Sequence, residues 1–242
     1  MMGVRIGTRS LQELVSASML AVEDRREQFV FACANPHSLV TSRRDPEFRD
    51  ALDKASAVVA DGVGCTLAAS ITGMSVGPRI TGSAYFLAMM AALNARGGKV
   101  FFFGSREEVL FKLLARAKSD YPRVTIAAYA PPFRPWSAKE NDEMLAAIDR
   151  FEPDVLWVGM TAPKQEKWVS ANLLRLRASV IASIGAVFDY YAGVTPRAPQ
   201  WLCDLGFEWL YRLPREPRRL WQRTVVSAPL FFWFVLRERM MR

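Results

Sequence analysis

Short apolar runs alternate along the chain with longer segments whose apolar residues recur every three or four positions. The runs are Phe29 to Cys33, Ala57 to Ala60, Lys99 to Phe103, Val124 to Tyr129, Val155 to Val158 and Val180 to Ile184. Short, nearly continuous apolar runs of this kind read as strands buried on both faces. Helical spacing holds over Leu11 to Val22, Phe48 to Ala55, Ala84 to Asn94, Glu107 to Ser119, Ala138 to Phe151 and Gln165 to Leu176. Strand and helix alternate as far as Ile184. This predicts an α/β fold, a Rossmann-like parallel sheet with helices on both faces. After Ala192-Gly193 the pattern stops, and the rest reads as helix interrupted by Pro214 and Pro217. The expected division is an α/β domain over 1–193 and a helical C-terminal appendage over 194–242.

In open α/β sheets, ligands bind beyond the carboxyl ends of the strands. Several polar residues fall at those ends. Asn35-Pro36-His37 follows the first strand and Asp61-Gly62 the second. Gly104-Ser105 follows the third, with Glu108 spaced for a capping box. The fifth strand turns at Gly159 into a helix with Thr161 as N-cap, Pro163 in the first turn, and Lys164, Gln165 and Glu166 behind it. Asp189 lies beyond the sixth strand. Arg79, in the loop from Met74 to Gly82, has the fork that pairs with phosphate or carboxylate. The loop Ala130-Pro-Pro-Phe-Arg-Pro-Trp136 is rigid and aromatic, suited to stacking on a base or sugar or simply to joining two elements. Each position also has an ordinary reading. Asp61 suits an Asp-Gly turn, Arg79 a surface arginine, and Cys33 a small buried hydrophobe. His37 is the single histidine, so it stands as an alternative base to Asp61.

The composition narrows the partners. A net charge of +8 over 242 residues suggests an anionic one: nucleotide, nucleic acid or acidic membrane. Cys33, Cys65 and Cys203 have no zinc-like spacing, and one histidine excludes a multi-histidine metal site. No Gly-x-Gly-x-x-Gly follows a strand; Asp61-Gly-Val-Gly64 is the nearest fragment, which disfavours a nucleotide-dependent oxidoreductase. The N-terminal stretch lacks the apolar run of a signal peptide, and no segment reaches the ~18 apolar residues of a spanning helix. A cytoplasmic protein is expected.

Pro163-Lys-Gln-Glu-Lys-Trp168 resembles the signature of the WecG/TagA/CpsF family of bacterial glycosyltransferases, glycosyltransferase family 26. The resemblance continues in order through Asn35-Pro36, Ala60-Asp-Gly-Val-Gly64, Arg79-Ile-Thr-Gly82, Phe103-Gly104, Phe188-Asp189, Ala192-Gly193 and Arg197-Ala-Pro199. It ends with Glu208-Trp-Leu-Tyr-Arg-Leu213 and Glu216-Pro-Arg218. It spans about Phe29 to Arg223. It implies an inverting, single-displacement transfer from a UDP-sugar to a lipid-diphosphate-linked saccharide, with Asp61 as base. By the same resemblance, Cys33, Asn35, Arg79, Gly104, Gln165, Glu166 and Asp189 contact substrate, and Arg212, Arg218 and Arg219 neutralise diphosphate. Cys33 replaces the family's threonine, which removes a strong hydroxyl donor. No Asp-x-Asp occurs in the chain, so no metal and no cofactor are expected. Family members use N-acetylmannosamine, its uronic acid or glucose; Gly159-Met-Thr-Ala-Pro163 is most similar to the turn in exopolysaccharide glucosyltransferases.

The positive charge is concentrated from Arg212 to Arg242, where eight arginines and two glutamates carry a net +6. Trp221, Phe231, Phe232 and Trp233 are interleaved with it, a pattern that fits an anionic membrane better than nucleic acid. Val225 to Leu236 is too short to span a bilayer. The expected location is the inner face of the plasma membrane, peripherally bound; a helix packed on the protein's own core or a homo-oligomer interface is the other use of such a run. The competing functional class is a basic nucleotide- or nucleic-acid-binding α/β protein without transferase activity.

Overall fold

The computed structural model describes residues 1–196, 198–199, 202, 211, 221 and 226–240. Six strands form one all-parallel sheet: β1 (Phe29–Ala34), β2 (Ala57–Ala60), β3 (Gly98–Gly104), β4 (Val124–Tyr129), β5 (Val155–Gly159) and β6 (Val180–Ser183). Their order is β2-β1-β6-β5-β3-β4. All six coincide with the apolar runs of the sequence.

The period-two alternation of side chains divides the core into two layers. Val30, Ala32, Val58, Phe101, Phe103, Leu156, Val158 and Ile181 face one layer. Phe31, Val59, Val100, Phe102, Val155, Trp157, Val180 and Ala182 face the other. The first layer is covered by α2 (Pro36–Ser42), α3 (Pro46–Asp53), α4 (Val63–Thr72), α7 (Ala138–Phe151) and α8 (Lys164–Asn172). The second is covered by α1 (Leu11–Asp24), α5 (Gly82–Arg96), α6 (Glu107–Asp120) and the short α9 (Val187–Tyr191). Helices on both faces leave only the strand ends open to ligands.

Helix starts follow local chemistry. Ser137 closes a reciprocal capping box with Glu140 at α7, and Thr81 accepts from Ala84 N–H at α5. Ser137→Ala should cost about 1 kcal/mol in urea unfolding, the usual value of an N-cap, and leave activity unchanged. Two expected caps are not formed. Ser105 takes φ +61°, outside the extended conformation an N-cap needs, so α6 starts after Arg106 without a side-chain cap. Thr161 offers its carbonyl, not its side chain, to Lys164 N–H, and α8 starts after Pro163. The helix α4, over Val63–Thr72, is an addition to the sequence reading, and α8 ends at Asn172, short of Leu176.

The final helix, α10 (Ala228–Met240), packs against α4 and α2. Phe231 and Val235 are fully buried in the first core layer, while Trp233, Leu236 and Met240 are exposed. His37 Nδ1 and Ser227 Oγ lie 2.8 Å apart, and Arg43 sits 4.4 Å from the centre of the Phe234 ring. One side of the apolar run is thus core and the other faces solvent. Among the described residues no helix is long and apolar enough to cross a membrane.

Candidate active site

Two cavities open side by side at the carboxyl edge of the sheet. They share Met160, Gly185, Ala186 and Tyr190 as a common wall. The larger measures about 590 Å³, within the ~300–1,000 Å³ of small-molecule sites. It lies beyond β3, β5 and β6, beside the Pro131-Pro132-Phe133 loop, with Arg106, Lys164 and Asp189 in its lining. The smaller measures about 130 Å³ and lies beyond β1, β2 and β6. Its polar lining includes Asp61, Asn35, Gln165 and Glu166, with Cys33 and Thr81 beside them.

Backbone hydrogen bonds fix Asp61. Its N–H donates to Ala34 C=O at 2.9 Å, tying the end of β2 to the end of β1. Gly62 then turns the chain at φ +93°, a conformation that favours glycine, and α4 begins at once. Asn35 is the N-cap of α2: its Oδ1 accepts from Ser38 N–H at 3.0 Å, which leaves Nδ2 as the donor for a ligand. Burial, then the nearby Asp61 and Glu166, hold the Cys33 thiol neutral by pushing its pKa well up. The thiol is therefore a weak donor and not a nucleophile.

Gln165 is a bracket between strand ends. Its Oε1 accepts from Met160 N–H at 3.2 Å and Gly185 N–H at 3.1 Å. Those bonds fix the amide orientation, so Nε2 must face the other way, where it donates to Glu166 Oε1 at 2.8 Å. Glu166 is 4% exposed, and burial pushes its pKa up to about 7 against the opposing bond from Gln165.

The larger cavity carries the cations. The Arg106 guanidinium lies 5.8 Å from the centre of the exposed Phe133 ring. Lys164 Nζ lies 4.0 Å from the Trp136 ring centre, and burial lowers the lysine's pKa. Trp136 is itself held by Nε1–H donating to Pro132 C=O at 2.9 Å. The proline-rich loop is thereby fixed as the wall of the larger cavity.

Of the residues singled out from sequence, Asp61, Cys33, Asn35, Gln165 and Glu166 meet around the smaller cavity, and Asp189 lines the larger. His37, Arg79 and Gly104 line neither. The room that Gly104 gives is taken by protein: at φ +122° an added Cβ would stand 2.5 Å from Gly159 C=O. Arg212, Arg218 and Arg219 lie outside the described residues. Arg106 and Tyr190 escaped the sequence reading as site residues; Arg106 was signalled only by its place just after the Gly104-Ser105 turn.

The profile of the glycosyl transferase WecG/TagA/CpsF family matches residues 1–242. The chain belongs to that family. Two relatives carry the name N-acetylglucosaminyldiphosphoundecaprenol N-acetyl-beta-D-mannosaminyltransferase. That of Bacillus subtilis (strain 168) is 27% identical over 215 residues, covering 89% of this chain and 82% of the relative. That of Staphylococcus aureus (strain MW2) is 24% identical over 232 residues, covering 96% and 89%. The chain is thus a glycosyltransferase of the hexosyl-transferring kind.

Proposed function

We propose that this glycosyltransferase moves a hexose from a UDP-sugar to a polyprenyl-diphosphate-linked saccharide, inverting the anomeric centre without a metal. The observation that carries the reading is the pairing of two unlike cavities across one wall. The larger, with Arg106, Lys164 and an aromatic rim, suits a nucleoside diphosphate. The smaller, with Asp61 and amide groups, suits a sugar and the attacking hydroxyl. In this reading the anomeric carbon sits between them, at the wall shared by Met160, Gly185 and Ala186. Asp61 takes the proton of the acceptor hydroxyl as the new glycosidic bond forms and the bond to the diphosphate breaks. Arg106 and Lys164 balance the charge that develops on the leaving diphosphate. By the family resemblance, the same role is assigned to Arg212, Arg218 and Arg219, which lie outside the described residues.

The names of the relatives favour N-acetylmannosamine as the donor sugar and an N-acetylglucosaminyl-diphosphate lipid as the acceptor. The Gly159-Met-Thr-Ala-Pro163 turn keeps glucose as the alternative donor. Incubation with a panel of UDP-sugars and a polyprenyl-diphosphate saccharide, with and without EDTA, tests the reading. A single transferred hexose of inverted configuration, formed equally with EDTA, is expected. Activity lost with EDTA and restored by Mg²⁺ or Mn²⁺ would remove the metal-free part, and no transfer from any UDP-sugar would remove the whole.

The outward face of α10 is the membrane contact in this reading. Trp233, Leu236 and Met240 are exposed there beside Arg237 and Arg239. Aromatic and aliphatic groups with basic neighbours suit the boundary of an anionic leaflet, placing the chain peripherally on the inner membrane face. Trp233→Ala with Leu236→Ala should weaken binding to anionic vesicles by about tenfold or more, since each buried side chain contributes ~1.5–3 kcal/mol, with thermal stability kept. Undiminished vesicle binding would exclude this face.

A further inference from the structure

The outward side of α4 begins two residues after Asp61 and carries no charge. Val63 and Leu67, one turn apart, are 44% and 49% exposed, and the exposed Ser70 completes the same stripe. From Gly62 to Pro78 the chain has no charged residue. The exposed sides of α6 and α7 show what water ordinarily selects on a helix. Glu107, Glu108, Lys112 and Arg116 stand on one, Lys139, Asp142 and Glu143 on the other. The hydroxyls of α4 do not make up for the missing charge. Thr66 donates to Val63 C=O at 2.9 Å, Ser70 to Thr66 C=O at 3.2 Å and Thr72 to Ala68 C=O at 2.8 Å. Each hydroxyl hydrogen is held by the helix's own backbone, the arrangement that lets such side chains face an apolar neighbour.

We propose that this stripe is a track for the hydrocarbon chain of the acceptor lipid, leading from the membrane face of α10 to the smaller cavity. The inference rests on the reading that the acceptor is lipid-linked, and it deepens that reading by naming the surface that takes the lipid. Two placements favour the acceptor's own chain as the occupant. The stripe starts where the acceptor hydroxyl sits in that reading, because Asp61 lines the smaller cavity and Gly62 turns directly into α4. The stripe also lies beside α10, which packs against α4 and exposes Trp233 and Leu236. A lipid with its saccharide at Asp61 and its tail in the bilayer must cross the surface between the two, and α4 is the element that joins them. The start of the track is fixed by packing. An added Cβ on Gly64 would stand 2.6 Å from Pro36 Cγ, so the first turn of α4 is seated against the first turn of α2, whose N-cap is Asn35.

The test compares two acceptors in detergent solution, with whichever UDP-hexose the wild type turns over as donor. One is N-acetylglucosaminyl diphosphate carrying a long polyprenyl chain; the other is the same head group on a short, water-soluble alkyl chain. The wild type should show a KM lower by about tenfold or more for the long-chain acceptor, the scale of burying the exposed half of two aliphatic side chains. Val63→Ser with Leu67→Ser should remove that preference by raising the long-chain KM. The short-chain KM, the affinity for UDP and binding to phosphatidylglycerol vesicles should each stay within about twofold, since the lost contact is with the chain alone. Val63→Ile with Leu67→Met keeps the apolar area and should keep the preference. Thermal melting checks folding, and Leu67→Ser alone carries the same comparison if the double variant melts early.

A wild type indifferent to chain length would overturn the inference. So would an unchanged long-chain KM in the serine variant, or equal losses on both acceptors. Vesicle binding that falls together with the long-chain preference would assign the stripe to the bilayer and overturn it as well. A wild type that transfers to neither acceptor would instead sink the functional reading, and this inference with it.

Discussion

Asp61→Asn should lower turnover by about 100-fold or more while leaving UDP affinity unchanged. The size follows from the usual contribution of a positioned acid or base, and corresponds to about 2.7 kcal/mol of transition-state stabilisation. The split follows from placement. Asp61 lines the smaller cavity, whereas the cations suited to a diphosphate line the larger. The substitution also preserves the turn, because the bond that fixes Asp61 runs from its backbone N–H to Ala34 C=O. Single-turnover kinetics with UDP binding measured in parallel would check it. Near-normal turnover would make Asp61 a turn residue and move the base to Glu166, the other carboxyl of the cavity, or to His37, which is bonded to Ser227.

Phe231→Ala should destabilise the protein by about 3–5 kcal/mol, against at most ~0.5 kcal/mol for Trp233→Ala two residues on. Phe231 is fully buried in the layer that also holds Leu39 and Ala68, so its removal leaves a cavity beneath α10. Trp233 is 59% exposed and leaves none. Urea unfolding of both variants would decide the matter. A cost below 1 kcal/mol for Phe231→Ala would mean that α10 is not seated on the core. The pair also separates two roles that a truncation would confound, since removing the whole helix would strip core and membrane face together.

The strands were legible in the sequence because a strand buried on both faces has to be apolar throughout. Trp157 and Phe102 show this, each fully buried within an unbroken apolar run. The helix α4 was not legible. Its sequence, Val63-Gly-Cys-Thr-Leu-Ala-Ala-Ser-Ile-Thr72, is small and weakly patterned, and it is helical because Cys65, Ala68 and Ala69 pack into the first core layer. The cap failed at Ser105 for a different reason. A cap motif in sequence specifies residue types, whereas the cap itself needs an extended backbone, and the turn after Gly104 puts Ser105 at φ +61°. Strand-end position together with the resemblance singled out Asp61, Gln165, Glu166 and Asp189, and all four line one or other of the two cavities. Arg79 was proposed from its chemistry and the resemblance, and its loop does not bring it into either cavity wall. Phe231 and Trp233 looked alike in sequence because α10 is apolar on both sides, and only packing tells core from surface.

The order of the sheet also bears on how the protein is made. β6 sits between β1 and β5, yet it is the last of the six to leave the ribosome. Until residues 180–183 emerge, β1 with β2 and β5 with β3 and β4 are two half-sheets with no strand to join them. The wall between the cavities, Gly185 and Ala186, comes directly after that strand. Domains tend to fold as units while synthesis proceeds from the N-terminus. A nascent chain shorter than about Gly185 therefore carries Asp61 and the Lys164–Glu166 turn on half-sheets that nothing yet joins. Competence for transfer therefore waits for β6, and the helix proposed to rest on the membrane follows it along the chain.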